Sequence, residues 1–312
     1  MILAAIASKA ILKIRRYFNK KVAYSFPSVT DGWEKKVHPI LPRTAEGSYF
    51  DPYALVDEQK ILVYVSKRIN SSISRFYLNN RFELCEEITV LEGIQNSWDE
   101  VVNRACVIKH YGEFLMWYTG QSGVNSSIGF ARSIDGITFE RVCDSPVIVP
   151  SLSHEKGSVM NPSVLFNKDR NVFQMWYSAG DQYEPDVICY AESADGISWN
   201  KNNAAVLKKG IQRFDRYKVG GCDVHLEGGK YSMFYIGYEN LDVARICFAV
   251  SEDGIEWQKG DHPIISPSKM SWDADAVYKP AYVKIDEQEI ILYNGRKGGT
   301  ELIGVALRTV LS

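Results

Sequence analysis

The sequence lacks most of the features that place a chain in a class at first reading. Neither sign of charge prevails: 36 Lys and Arg stand against 38 Asp and Glu in 312 residues, a formal −2, so nothing draws the whole chain to nucleic acid and no nucleic-acid partner is expected. The six cysteines, Cys85, Cys106, Cys143, Cys189, Cys222 and Cys247, form no CxxC pair, and no histidine stands at zinc-finger spacing. That excludes a metal knuckle and a dense disulfide scaffold and points to a reducing, cytoplasmic setting. There is no Gly-rich phosphate loop, no nucleophile elbow and no HExxH, so P-loop, hydrolase-triad and zincin chemistry have no support. No metal and no cofactor are expected.

Hydrophobic residues make up 46% of the chain and aromatics 12%, enough for a large core and a composition that favours strands and surfaces able to stack on sugar rings. Residues 1–21, MILAAIASKAILKIRRYFNKK, read as a short basic amphipathic helix. They are too short to span a bilayer, and Lys9 breaks the apolar stretch that a secretory signal would need. Two placements follow: on the inner membrane face, making the protein peripheral there, or docked on the chain's own domain, residues 22–312.

A repeat dominates the rest. Apolar strands ending in Tyr recur as LVY (to Tyr64), MWY (to Tyr118), MWY (to Tyr177), MFY (to Tyr235) and ILY (to Tyr293), spaced by 54, 59, 58 and 58 residues. Most are followed by Asp-Gly segments, GFARSIDGITF, CYAESADGISW and CFAVSEDGIEW, read as hairpins with type I′ turns; Asn79-Asn80 fills the same place after Tyr64. The last repeat lacks its final strand, while DGWEKKVHPIL near the start parallels DGIEWQKGDHPII. The fold class expected is all-β, a five-bladed β-propeller closed into a ring by the N-terminal strand, with a short N-terminal helix. Two stacked sandwiches would not explain the odd repeat count.

Aligning backwards from the tyrosines gives five equivalent inner-strand positions: Asp51, Arg104, Asn161, Cys222 and Lys279. A position that only packs keeps one residue type in every repeat, so this diversity marks a site at the mouth of the central funnel. Rim loops add Arg68, Arg213, Lys218 and Arg296 beside Asp181, Glu239 and Asp273, and His154 with Glu155 precedes the third inner strand. The mouth reads as cation-rich and suited to an anionic ligand: an acidic sugar, a phosphate or a nucleotide-sugar diphosphate.

FDP at Phe50, NPSVLF at Asn161, MWYTG, MWYSAG and the S-x-DGI-x-W/F segments resemble the five-bladed propeller clan of glycoside hydrolase families 43, 32 and 130. The resemblance covers about residues 30 to 310. It implies a carboxylate on blade one as base or nucleophile, an Asp on blade three and an acidic proton donor on blade four. Asp51 matches the first; the second place holds Asn161, and the third falls at Cys222, with Asp223 adjacent. The expectation is a carbohydrate-active enzyme, glycoside hydrolase-like or a glycosyltransferase of glycan biosynthesis, working on a sugar or activated sugar by transfer, phosphorolysis or hydrolysis. Asp51 and Asp223 are the expected catalytic pair; Arg104, Asn161, Lys279, Arg68, Arg296, Glu239, Asp181 and His154 are expected to bind substrate. The alternatives are a non-catalytic glycan-binding propeller and a protein-interaction scaffold.

Overall fold

The computed structural model of the chain describes residues 32–41, 48–182 and 184–309; the helix expected over residues 1–21 lies outside them. Among the described residues the architecture is all-β, with two short 3-10 turns and no α-helix. No helix there is long and apolar enough to cross a membrane.

The strands run in antiparallel sets in chain order. Strands β1 (Glu34–Lys35), β2 (Tyr49–Asp57), β3 (Lys60–Lys67), β4 (Ser72–Leu78) and β5 (Leu84–Glu92) come first; β2 to β5 form a four-stranded sheet. The next runs are β6 (Val101–His110), β7 (Glu113–Ser122), β8 (Asn125–Ser133) and β9 (Glu140–Arg141), then β10 (Ser158–Asn167), β11 (Val172–Asp181), β12 (Glu184–Ser193) and β13 (Asn200–Lys201). A parallel pairing of Ser158 with Ser126 joins these two runs. Strands β14 (Lys218–Glu227), β15 (Lys230–Tyr238), β16 (Ala244–Ser251) and β17 (Gln258–Lys259) form another four-stranded sheet. The last sheet takes β18 (Ala276–Ile285), β19 (Gln288–Lys297) and β20 (Thr300–Thr309) from the C-terminal end and β1 from the other, in the order β1-β20-β19-β18. The leading strands touch in the order β2, β6, β10, β14, β18, and β18 touches β2.

β1 and the residues after it repeat the outer strands in detail. Leu41 bridges Ile303 as Ile148 bridges Ile128, Leu207 bridges Ile188 and Ile265 bridges Ile246. A buried polar unit also recurs. Tyr118 donates to Asp99 at 2.9 Å while Arg141, from the outer strand, donates to the same carboxylate at 2.7 Å. Tyr177 donates to Glu155 at 2.6 Å and Lys201 at 2.7 Å, and Lys259 reaches Asp215 at 2.6 Å. In the last sheet Tyr293 donates to Asp273 and the cation is Lys35 of β1. Glu155 and Asp273, placed near the funnel by sequence, are therefore buried tie points between strands.

Two sequence readings need correction. The residue opposite Tyr53 is Tyr64, just as Trp117 stands opposite Cys106 and Trp176 opposite Ser163. Tyr64 is thus the counterpart of the tryptophans, and Val65 holds the tyrosine's place. Its hydroxyl donates to the Gly136 carbonyl at 3.3 Å, as the indoles of Trp117 and Trp176 donate to Gly196 and Gly254 at 2.9 and 2.7 Å. Nor are the Asp-Gly segments type I′ turns, because only their glycines have positive φ. Pairing stops at Arg132 with Glu140, and the loop between is built on the Asp side chain. Asp135 accepts from the amides of Ile137 and Thr138, both at 2.8 Å, and Asp195 and Asp253 do the same in their loops. The glycine is needed for its φ and because a Cβ at Gly196 or Gly254 would lie 2.9 or 2.8 Å from the Trp117 or Trp176 ring.

Two predictions follow from this packing. Lys35 and Asp273 have side chains only 8% and 1% exposed, and burial pulls the Lys35 ammonium's pKa down against the raising effect of Asp273. Lys35→Met leaves that carboxylate unpaired, at a cost of about 3–5 kcal/mol, and should lower the Tm by roughly 10 °C; Lys35→Met with Asp273→Asn should recover part of the loss. A single variant melting like the wild type would contradict the role given to β1. The second concerns acid. Amide hydrogen bonds, led by that of Thr138 for Asp135 and Ser198 for Asp195, hold both carboxyls down at about 2, against about 3.9 in an unfolded chain. They favour the folded state above about pH 4, and that contribution is lost as pH falls from about 4 to about 2. Tm measured across this window should fall, and less steeply in an Asp135→Ala, Asp195→Ala double variant.

Candidate functional site

The site begins with an irregularity of the backbone. Each leading strand shifts register at the same place: between Phe50 and Tyr53 in β2, Asn103 and Cys106 in β6, Met160 and Ser163 in β10, Gly220 and Asp223 in β14, and Tyr278 and Ala281 in β18. The first extra residue has positive φ in every case: Asp51 (51°), Arg104 (55°), Asn161 (53°), Gly221 (51°) and Lys279 (51°). A bulge of this kind re-aims one side chain. Four of the five are not glycine, and each costs on the order of 1 kcal/mol or more in strain.

Neighbouring sheets hold these bulges. The amide of Arg104 donates to Ser66 at 2.8 Å, that of Asn161 to Thr119 at 3.0 Å, that of Gly221 to Ser178 at 2.7 Å and that of Asp51 to Asn294 at 3.0 Å. The acceptors occupy one position on the second strand of the preceding sheet, which Ile236 holds in the remaining case. The fourth member of the set is therefore Gly221, and Cys222 is displaced by one. Cys222 is buried, and burial pushes its thiol pKa up. Asp223 stands one layer deeper, where Val164 donates to Cys106, Val224 to Ser163 and Tyr282 to Asp223, the last at 2.6 Å. Asp223 is thus a tie between sheets, with His225 Nε2 at 3.1 Å, and is not among the residues lining the cavity.

Asp51, Arg104, Asn161 and Lys279 line one cavity of about 520 Å³, with Arg68 and Arg296 at its wall. Arg104 Nε donates to Asp51 Oδ2 at 2.9 Å, and Asn294 Nδ2 to Oδ1 at 2.8 Å. The Arg68 guanidinium lies 4.2 Å over the Phe50 ring and pairs with Glu301, which also accepts from the Tyr278 hydroxyl. Burial, then Glu301, drives the Tyr278 hydroxyl's pKa far up, so it stays a donor. Arg296 is tied to the Asp242 carbonyl at 2.7 Å.

Three buried polar atoms at these bulges have no hydrogen-bond partner among the described residues: Lys279 Nζ, Arg104 Nη1 and Asn161 Oδ1. Lys279 is only 1% exposed. The absence of a side chain at Gly221 leaves room for its stem, since a Cβ there would lie 3.6 Å from Lys279 Cδ and 2.4 Å from Ile236 Cδ1. A buried ammonium without a partner is expensive unless something arrives to pair with it.

The wider rim departs from expectation. The lining holds Lys67, Arg68, Arg104, Lys279 and Arg296 against Asp51, Glu100, Glu184 and Glu301, a near balance in place of the cation-rich mouth. Glu239 is clamped by Arg213 and Arg245 at 2.6 and 2.8 Å, and Lys218 pairs with Glu184. Glu239, Asp181 and His154 do not line the cavity. Sequence reasoning missed Glu184, Glu301 and Tyr278. The first two stand at the starts of β12 and β20, and the available signal was charge at strand starts beside the funnel. Among the described residues no cluster of His, Cys, Asp or Glu is arranged to hold a metal.

Lys279→Met tests the unpaired ammonium. Replacing a buried unpartnered charge by an apolar side chain of similar length should leave the Tm equal or higher, and should remove the Tm gain expected of the wild type with inorganic phosphate. A large fall in Tm would make Lys279 a structural residue.

No family model matches the chain. An uncharacterized protein of Mycobacterium tuberculosis (strain ATCC 25618 / H37Rv) is 30% identical over 217 residues, 62% of this chain and 66% of that protein. The 1,2-beta-oligomannan phosphorylase of Thermoanaerobacter sp. (strain X514) is 26% identical over 206 residues, 62% of this chain and 64% of the relative. Each match thus spans a little under two thirds of the relative's length. Among solved structures, a thermostable family-43 glycoside hydrolase superimposes with a TM-score of 0.71 at 18% identity, over 87% of this chain and 95% of the other. A structure from the GH130 family of mannoside phosphorylases, which contains glycoside hydrolases that target beta-1,2 mannosidic linkages in Candida mannan, gives 0.69 at 13% identity, over 92% and 96%. The chain has a β-propeller fold of the glycoside hydrolase kind, and its resemblance is to the clan that includes families 43 and 130.

Proposed function

We propose that the four-stranded sets are five blades of one ring, completed by the strand at residues 34–41, and that the cavity on its axis exchanges a glycosidic bond with phosphate. The observation that carries this reading is the chemistry of the bulge positions. Only Asp51 is acidic; the places where the clan has further carboxylates hold Asn161 and Gly221, while Lys279 and Arg104 bring unpaired donors. Hydrolysis calls on two carboxyl groups, one to protonate the departing oxygen and one to activate water or attack carbon. Phosphate needs less, because it attacks or departs as a stable anion that cations hold.

In the synthetic direction Asp51 takes the proton of the acceptor hydroxyl as its oxygen bonds to C1 and the C1–phosphate bond breaks. In the reverse direction the same carboxyl returns that proton to the departing sugar oxygen as phosphate bonds to C1. Arg104 suits both tasks, with Nε on Asp51 and Nη1 unpartnered. The name of the Thermoanaerobacter relative supports 1,2-β-linked mannosides as the substrate class. The buried Asn161 Oδ1 is an acceptor suited to a sugar hydroxyl.

The test is turnover of 1,2-β-oligomannan with and without inorganic phosphate by the wild type and Asp51→Asn. Formation of a sugar 1-phosphate is expected, reduced about 100-fold or more in the variant, with oligomannan affinity changed less than about threefold. Full activity in Asp51→Asn would remove Asp51 from the chemistry. Free sugar released equally fast without phosphate would establish hydrolysis instead, and binding without turnover would leave a glycan-binding propeller.

A further inference from the structure

We propose that Asn294 is a positioning residue for Asp51, and that this is why an amide stands where the other sheets have a hydroxyl or an alkyl group. The inference rests on the reading of Asp51 as the proton carrier. The position on the second strand that faces the next sheet's bulge is Ser66, Thr119, Ser178, Ile236 and Asn294 in chain order. Ser66, Thr119 and Ser178 accept the next bulge amide through a hydroxyl oxygen, which is enough to tie two sheets together. Asn294 does this too, at 3.0 Å to the Asp51 amide. Its Nδ2 in addition donates to Asp51 Oδ1 at 2.8 Å, so one side chain fixes the backbone and the carboxylate of the same residue.

That second bond carries the argument. Asp51 sits at φ 51°, a conformation that a non-glycine residue keeps only when its surroundings impose it. Arg104 Nε holds Oδ2 from one neighbouring sheet and Asn294 Nδ2 holds Oδ1 from the other, which leaves the carboxylate plane little freedom. Asn294 is fully buried and is not among the cavity's lining residues. It therefore acts on substrate through Asp51 alone. Proton transfer demands a positioned group, and an error near 1 Å can cost about 100-fold in rate.

Asn294→Ser separates the two bonds, because serine keeps the amide acceptor in the form Ser66 and Ser178 already use and removes the donor to Oδ1. The measurements are kcat and KM for phosphorolysis of 1,2-β-oligomannan, the Tm, and a crystal structure of the variant. We expect kcat to fall about tenfold or more with KM within twofold, the Tm to stay within a few degrees, and Asp51 to leave its place beside Arg104. Ser163→Ala, which removes a tie one layer deeper, should lower the Tm with kcat unchanged. Wild-type kcat in a folded Asn294→Ser protein overturns the proposal. Asp51→Asn, assayed in parallel, separates that outcome from failure of the reading beneath it: if it is fully active, Asp51 is not the proton carrier whatever Asn294 does. Should the wild type turn over nothing, the crystal structure decides, with a displaced Asp51 supporting the role and an unmoved one refuting it.

Discussion

The structure depends on a bulge made at one level in each leading strand. Without it, residues 51, 104, 161, 221 and 279 would alternate as ordinary strand positions and their side chains would be packed between sheets. With it, each turns out of the pleat at a positive φ, and four side chains converge on one cavity. The conformation is costly for Asp, Arg, Asn and Lys, and the strain is offset where it arises, by amide hydrogen bonds to the preceding sheet at Arg104, Asn161, Gly221 and Asp51. The bond from Asp51 to Asn294 links the first sheet to the last, so the candidate catalytic carboxylate and the meeting of the chain's two ends share one contact.

A repeated frame lets the same residue types serve separate ends. Asp99, Glu155, Asp215 and Asp273 are buried under an outer-strand cation and tie strands together. Cys106, Ser163 and Asp223 form a deeper layer of amide acceptors. At the bulges the side chains differ most, from Asp51 through Arg104, Asn161 and Gly221 to Lys279. There the fold leaves an ammonium, a guanidinium nitrogen and an amide oxygen without partners. Unsatisfied buried polar atoms are costly, and these three stand together at the bulges whose side chains line the cavity; the proposed ligand, an anion beside a hydroxyl-bearing ring, would pair with them.

Much of this was legible in the sequence, for a physical reason. A repeat compares a position with itself, so the tyrosine spacing located Asp51, Arg104, Asn161 and Lys279 without any relative to align. The incomplete final repeat pointed to DGWEKKVHPIL, residues 31–41, of which Glu34 and Lys35 pair with β20 and Leu41 bridges its Ile303. The errors share a cause as well. A bulge adds a residue that spacing does not announce, and a glycine leaves no side-chain signal, so Cys222 was read for Gly221. Tyr64 passed for a tyrosine of the repeat because it replaces tryptophan in donating to a loop carbonyl. Asp223, expected beside Asp51 as the second catalytic acid, instead accepts the Tyr282 amide a layer deeper, and Glu301 lies far from the bulges in sequence although it pairs with Arg68 over the cavity. Which rim charges neutralise one another is a tertiary fact that no spacing encodes.

The proposed function requires the bulges to gather an anion site beside one clamped carboxylate. The most direct measurement is a crystal structure grown with 1,2-β-oligomannan and inorganic phosphate. Phosphate is predicted in contact with Lys279 Nζ and Arg104 Nη1, with a sugar hydroxyl on Asn161 and Asp51 facing the bridging oxygen. A cavity empty of phosphate, with Lys279 Nζ paired to a carboxylate of the chain itself, would contradict it.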